Sequence, residues 1–241
     1  MSLLLVQVRS PRDQMIGHEV DCIRRRVGCE ADDMMVINGV EDTPDVQRLQ
    51  DATGVIFGGS GEFGVHDEAS KQWLPGVRTF LDRVLSDGIP GFGICFGHQV
   101  LGLHLGGEVE TSPGHAEIGS TFFELTEEGK KDPVFRELPQ RFCGQTGHSD
   151  SVLIKPANVI PLASNEVLEA QAFKVKDAPF YSTQFHPDLL GKEARERYLA
   201  YQSTMSSRTQ REDDGGELFV PGMDDASLLL GAFAAFYGLV K

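Results

Sequence analysis

The sequence predicts an α/β three-layer sandwich: a central, mostly parallel sheet with helices on both faces. Three observations carry this. The first half alternates short, fully apolar runs with helical stretches, as strands buried on both faces and joined by helical crossovers do. Glycine-rich turns follow the third and fourth apolar runs. The second half changes to strand patterns with little helix between them, which predicts mixed or antiparallel strands added to the parallel sheet.

Residues 3–8 read as the first buried strand. Ser10, Pro11 and Asp13 then form a helix-start pattern of capping side chain, proline at the first helical position and an acid in the first turn. That helix is expected to run to Val27 and stop at Gly28. Residues 34–37 are a second strand, Thr43-Pro44 opens a second helix, and 54–57 is a third strand. A long helix over 68–86, interrupted near Pro75-Gly76, leads to a fourth strand at 89–95 and a helix at 97–105. Strands are expected at 120–125, 151–154, 168–173 and 180–185. Residues 203–225 are polar and glycine-rich and read as a loop. Residues 228–240 are apolar, but short of the ~20 needed to span a bilayer, and read as a buried C-terminal helix. The expected organisation is a main domain over 1–200, with 201–241 a loop and helix packed on it.

The 241 residues are 40% hydrophobic and 24% charged, a globular composition. A formal net charge of −14 repels phosphate backbones and anionic lipid, so neither nucleic acid nor a membrane is an expected partner. The spacing of Cys22, Cys29, Cys95 and Cys143 matches neither a disulfide framework nor a zinc site. The N-terminus lacks the pattern of a signal peptide. A reduced, cytoplasmic setting is expected.

Three segments carry chemistry. Gly93-Ile94-Cys95-Phe96-Gly97, between a buried strand and a helix, is a nucleophile elbow with Cys in place of Ser. The turn is so tight that its flanking residues must be small. It puts Cys95 at a helix N-terminus, where the dipole favours a thiolate, and aims the Phe96 N–H at an oxyanion. The alternative is a buried, inert cysteine in a glycine-rich turn. Phe57-Gly58-Gly59-Ser60-Gly61 lacks the Lys-Ser/Thr of a phosphate loop and is expected beside the elbow, supplying a second oxyanion donor. In Gln184-Phe185-His186-Pro187-Asp188, the acid two residues after His186 points the same way on an extended segment and can hold the imidazole. His18, His66, His104 and His115 read as ordinary surface or core residues.

In this order and spacing the motifs resemble the class I glutamine amidotransferases, specifically the stand-alone members related to the glutaminase domain of GMP synthase. The resemblance runs from about Leu3 to Asp188, through Asp67-Glu68, Trp73-Leu74, His98-Gln99, Glu117-Ile118-Gly119, Gly147-His148-Ser149-Asp150 and Gln171-Ala172-Phe173. It implies the flavodoxin-like fold of that family, with Cys95 as nucleophile, His186 as base and Asp188 orienting it. It further implies an oxyanion hole from the Gly59 and Phe96 N–H groups. Gln99 and the backbone around Ser149 would hold the ends of a glutamine-like substrate, with Gly58, His148 and Asp150 in the same pocket. No metal or organic cofactor is implied. The sequence departs from the family in three places. Asp188 replaces the usual Glu and is about 1.5 Å shorter, so the backbone must move inward or the contact with His186 weakens. Ser60 replaces Pro in the oxyanion loop, which predicts a less rigid loop. Phe96 replaces Leu.

The expected reaction is hydrolysis of the glutamine side-chain amide through a γ-glutamyl thioester. Three roles remain open. The chain could be a glutaminase that hands ammonia to a separate synthetase subunit. It could be a self-sufficient γ-glutamyl hydrolase or peptidase, or a non-catalytic binding relic of the fold.

Overall fold

The structure, a computed structural model, describes residues 2–41, 43–209 and 217–240. A nine-stranded sheet runs through the molecule. Its parallel half has the spatial order β2 (Met34–Asn38), β1 (Ser2–Gln7), β3 (Ala52–Phe57), β4 (Gly91–Ile94) and β11 (Phe180–Thr183). Beyond β11 the sheet is antiparallel, through β10 (Ala172–Val175), β9 (Val159–Ser164), β6 (Glu117–Leu125) and β7 (Arg141–His148). A separate antiparallel ribbon joins β5 (Glu108–Thr111) to β8 (Asp150–Ile154).

The apolar runs of β1 and β3 are buried on both faces, as their lack of alternation predicts. Leu3 and Leu5 pack on one side, with α1 (Ile16–Val27) and α5 (Leu229–Tyr237). Leu4 and Val6 pack on the other, with α2 (Leu74–Ser86) and α3 (Phe96–His104). The C-terminal helix thus returns to the sheet, burying Leu229, Leu230, Phe233 and Ala234. No helix among the described residues is long and apolar enough to cross a membrane.

Several elements differ from the sequence reading. The first helix starts at Ile16, not near Ser10. Asp13 accepts from the Met15 N–H at 2.8 Å while also binding Arg9 and Tyr201, so a distant side chain holds the would-be first turn open. Gly28 does end the helix, at φ 80°. The helix expected after Thr43-Pro44 is a short 3-10 turn, Val46–Gln50, burying only Leu49; one apolar anchor does not stabilise a full helix. Pro75 does not interrupt a helix. It lies in the first turn of α2, where its missing N–H costs nothing, after a 3-10 turn at Glu68–Gln72. Strands β5, β7 and β9 add to those expected, and β10 begins later than predicted.

The main correction is at the end of the chain. The expected loop at 203–225 instead begins inside a helix, α4 (Gly191–Thr209). Residues 210–216 of that loop lie outside the described residues. Ala194, Tyr198, Tyr201 and Met205 are buried at helical spacing. Glu193 anchors the start of α4, accepting from the Leu190 N–H at 2.8 Å and pairing with Arg25 and Arg26 of α1.

Candidate active site

The elbow forms where β4 meets α3. Cys95 has φ 50° and ψ −95° and is the only non-glycine residue with positive φ among those described. Such backbone costs on the order of 1–3 kcal/mol and persists only where the surroundings enforce it. Here the Cys95 N–H donates to Thr183 O at 2.8 Å and the Gly97 N–H to Gly58 O at 3.2 Å, tying the turn to both neighbouring strand ends. The flanking glycines are sterically required. A Cβ on Gly93 would lie 2.8 Å from the Gly97 carbonyl, and one on Gly97 would lie 2.5 Å from Phe57 O.

His186 follows β11, the strand beside β4, so imidazole and thiol emerge at the same sheet edge. The position a Cβ would occupy on Gly59 is 3.2 Å from His186 Cε1 and 3.8 Å from Cys95 Cβ, so elbow, loop and histidine converge. The His186 N–H donates to Gln145 O at 2.8 Å, which fixes its backbone. Asp188 Oδ1 lies 3.0 Å from His186 Nδ1. The shorter acid therefore reaches the ring, and the weakening that one missing methylene predicted is absent. Burial pushes the Asp188 carboxyl up, but Arg197 and His186 beside it outweigh that and hold it well below the carboxylate range. An ionised carboxylate only accepts, so Nδ1 carries the proton of this hydrogen bond.

Cys95 departs from expectation. Burial, with Asp188 and Asp150 nearby, pushes its thiol up to about 12, against the opposing pull of Arg197 and the Phe96 N–H. At 4% exposure the desolvation of a thiolate exceeds what a helix terminus supplies, so the resting group is a thiol.

The glycine-rich loop after β3 is engaged from behind. The Gly59 N–H donates to Glu19 Oε1 at 3.1 Å, and the buried Glu19 also accepts from Gln7 (3.0 Å) and Arg9 (2.8 Å). Gly58 is used within the fold, its N–H on Val6 O and its carbonyl on Gly97. Ser60, which stands in place of a proline, accepts from the Phe63 N–H at 2.8 Å; this hydroxyl turn braces a loop expected to be less rigid.

Gln99, His148, Ser149 and Asp150 come together beside Cys95 and line one cleft with it. Only Ser149 separates β7 from β8, so the chain changes sheets there and turns all three side chains to one place. Gln99 Nε2 donates to Asp150 O at 2.8 Å, and His148 Nε2 lies 3.3 Å from Glu117 Oε2. Asp150 Oδ2 is buried without a hydrogen-bond partner. The sequence reading missed the helix α4 residues that cover this face. Met205 and Arg208 border the cleft, and Tyr198, Tyr201 and Met205 border an adjoining cavity that reaches His186. The spacing 194, 198, 201, 205 was the available signal. Gln184, two residues before His186, is a further residue beside Cys95: its Nε2 lies 3.7 Å from Cys95 Sγ. No group of three or more His, Cys, Asp or Glu among the described residues is arranged to hold a metal ion.

The chain is similar to known proteins in both sequence and fold. A GMP synthase (glutamine-hydrolyzing) subunit from Sulfurisphaera tokodaii is 34% identical over 155 residues, covering 64% of this chain and 77% of the relative. The corresponding GMP synthase subunit from Thermoplasma volcanium is 28% identical over 182 residues, covering 74% and 82%. In fold, the chain is similar to a glutamine amidotransferase from Thermotoga maritima (TM-score 0.68, 20% identity, 99% of this chain and 94% of that one). It is also similar to a glutamine amidotransferase from Methylobacillus flagellatus (TM-score 0.67, 17% identity, 99% and 90%). The family model for glutamine amidotransferase class-I matches residues 23–204, and with more than half its length inside that match the chain belongs to the class I glutamine amidotransferases.

Proposed function

We propose that the chain hydrolyses the side-chain amide of glutamine with Cys95 as nucleophile, His186 as general base and acid, and Asp188 orienting His186. The observation that carries this is the strained Cys95 backbone at the elbow, converging at Gly59 with an imidazole whose Nδ1 is held 3.0 Å from a buried carboxylate. The Cys95 sulfur attacks the γ-carbonyl carbon as its proton passes to His186 Nε2, so the raised thiol is ionised only during attack. The oxyanion accepts from the Phe96 N–H, and from the Gly59 N–H once that group exchanges Glu19 for it. His186 returns the proton to the departing nitrogen, ammonia leaves, and a γ-glutamyl thioester remains. Water, deprotonated by His186, then releases glutamate. Gln99, Ser149 and Asp150 receive the amino-acid end of the substrate.

Because the relatives are named as glutamine-hydrolyzing subunits of GMP synthase, the ammonia is proposed to pass to a separate synthetase chain. One observation favours the second role, a self-sufficient γ-glutamyl hydrolase. The cavity reaching His186 is bordered by Leu189, Ala194, Tyr198 and Phe219, apolar surface on the side where a leaving group larger than ammonia would lie.

The test is glutamate release by the purified chain from glutamine and from γ-glutamyl peptides, against Cys95→Ala. Release from glutamine that Cys95→Ala abolishes, rising when a synthetase chain is added, is expected. Faster release from peptides selects the hydrolase. Undiminished turnover in Cys95→Ala overturns the triad.

A further inference from the structure

Asp188 uses only one oxygen on His186. The other, Oδ2, accepts from Arg197 Nη1 at 2.8 Å. This pair is buried on both sides, with side-chain exposures of 8% and 1%. Arg197 comes from the second turn of α4, beyond the stretch carrying the motifs. Its other terminal nitrogen lies 3.4 Å from His18 Nδ1 on α1. His186, Asp188, Arg197 and His18 therefore form one line of polar side chains running from the sheet edge to the helix layer.

We propose that Arg197 is a positioning residue of the active site, one that clamps the short acid against His186 and offsets its charge beside the imidazole. The proposal rests on the triad reading above. Two physical arguments carry it. With one Asp188 oxygen on His186 and the other on Arg197, the rigid guanidinium fixes the orientation of the carboxylate and so keeps its first oxygen on the ring. Removing that cation would also leave Asp188 as an uncompensated negative charge beside the imidazole, and such a charge favours imidazolium. Arg197 therefore offsets the charge that Asp188 places beside the imidazole.

The other charged or titratable groups facing this line are Cys95 at the start of α3, Asp150 of β8, His18, Glu19 and Cys22 of α1, Glu193 and Glu196 of α4, and Arg9 after β1. Arg9 is paired with Glu19 and Asp13, and Glu193 with Arg25 and Arg26. His18, 3.9 Å from the exposed Glu196, is held toward its neutral form by burial and by Arg197. Cys95 stays a thiol. The cation on Asp188 is thus Arg197, and its charge is the variable to change.

The experiment compares Arg197→Gln, which retains a hydrogen-bond donor without the charge, with Arg197→Lys, which retains the charge. The readouts are the pH profile of kcat/KM for glutamate release and, in a Cys95→Ala background, the His186 ring titration followed by NMR. In Arg197→Gln the acid limb and the ring titration should both move to higher pH, by on the order of one unit, with kcat falling more than KM rises. Arg197→Lys should restore the wild-type acid limb. If Arg197→Gln folds and neither readout moves, or if the lysine variant shifts as far as the glutamine variant, Arg197 does not position Asp188. Should the glutamine variant fail to fold, Arg197→Met takes its place with the same two readouts: a move of both to higher pH that Arg197→Lys does not share supports the clamp, and unmoved readouts refute it. Because the ring titration needs no turnover, it separates failure of this proposal from failure of the triad reading, which shows as activity surviving in Cys95→Ala.

Discussion

The two sides of the active site stand on adjacent strands and are held in different ways. On the Cys95 side, β4 and α3 fix the residue through backbone alone. Two glycines leave room for the turn, hydrogen bonds from Cys95 and Gly97 reach the neighbouring strand ends, and a positive φ stores strain. On the acid side, Asp188 lies past the end of β11 and is held by side chains, His186 on one oxygen and Arg197 on the other. Backbone constraint of the first kind is written into a five-residue motif. Side-chain constraint of the second kind depends on where a helix docks. The site's most distinctive chemistry therefore sits on its less local side.

That contrast can be broken at several points. The largest effect is expected from Gly97→Ala. A Cβ 2.5 Å from Phe57 O has only backbone to push against, and overpacking of this kind costs about 1–3 kcal/mol. Urea unfolding should show that loss together with reduced turnover, and a midpoint equal to wild type would mean the elbow is not backbone-limited. Next in size is the titration of the nucleophile. With the Cys95 thiol pushed up to about 12, its charged form is lost as pH falls below that value. Alkylation of Cys95 in the ligand-free chain, followed peptide by peptide because three other cysteines are present, should rise with pH across neutrality without levelling off. A plateau near neutral pH would mean that the helix terminus, and not burial, governs the thiol. The smallest effect is expected from Ser60→Ala. It removes one hydroxyl acceptor from the Phe63 N–H, a loss of about 0.5–1.5 kcal/mol, with the elbow untouched. A large fall in turnover there would tie the loop's turn directly to oxyanion stabilisation.

The same division explains what could be read in advance. The parallel strands were legible because strands buried on both faces are continuous apolar runs. The elbow was legible because its glycines answer to local sterics. Helix α4 was not, because its last residues, from 203 on, were read by their polarity as loop, while the stripe of Ala194, Tyr198, Tyr201 and Met205 crosses that boundary. The start of α1 was misplaced because Asp13, which looks like a first-turn acid, is taken by Arg9 and Tyr201, and Tyr201 is 188 residues away along the chain. The thiol was misjudged for a related reason. A helix N-terminus is a local feature, whereas the burial and the nearby Asp188 and Asp150 that outweigh it exist only once the sheets and α4 have packed.

The sequence by itself therefore determined the sheet's parallel core, the turn that carries Cys95, and the pairing of His186 with an acid two residues on, because each depends on neighbours within a few residues. Only the tertiary structure decided that Asp188 reaches the ring despite its length, that Arg197 holds its far oxygen, that Glu19 occupies the Gly59 N–H, and that α4 covers the cleft. Those contacts join residues far apart in the chain, and their strength comes from the water that packing removes around them.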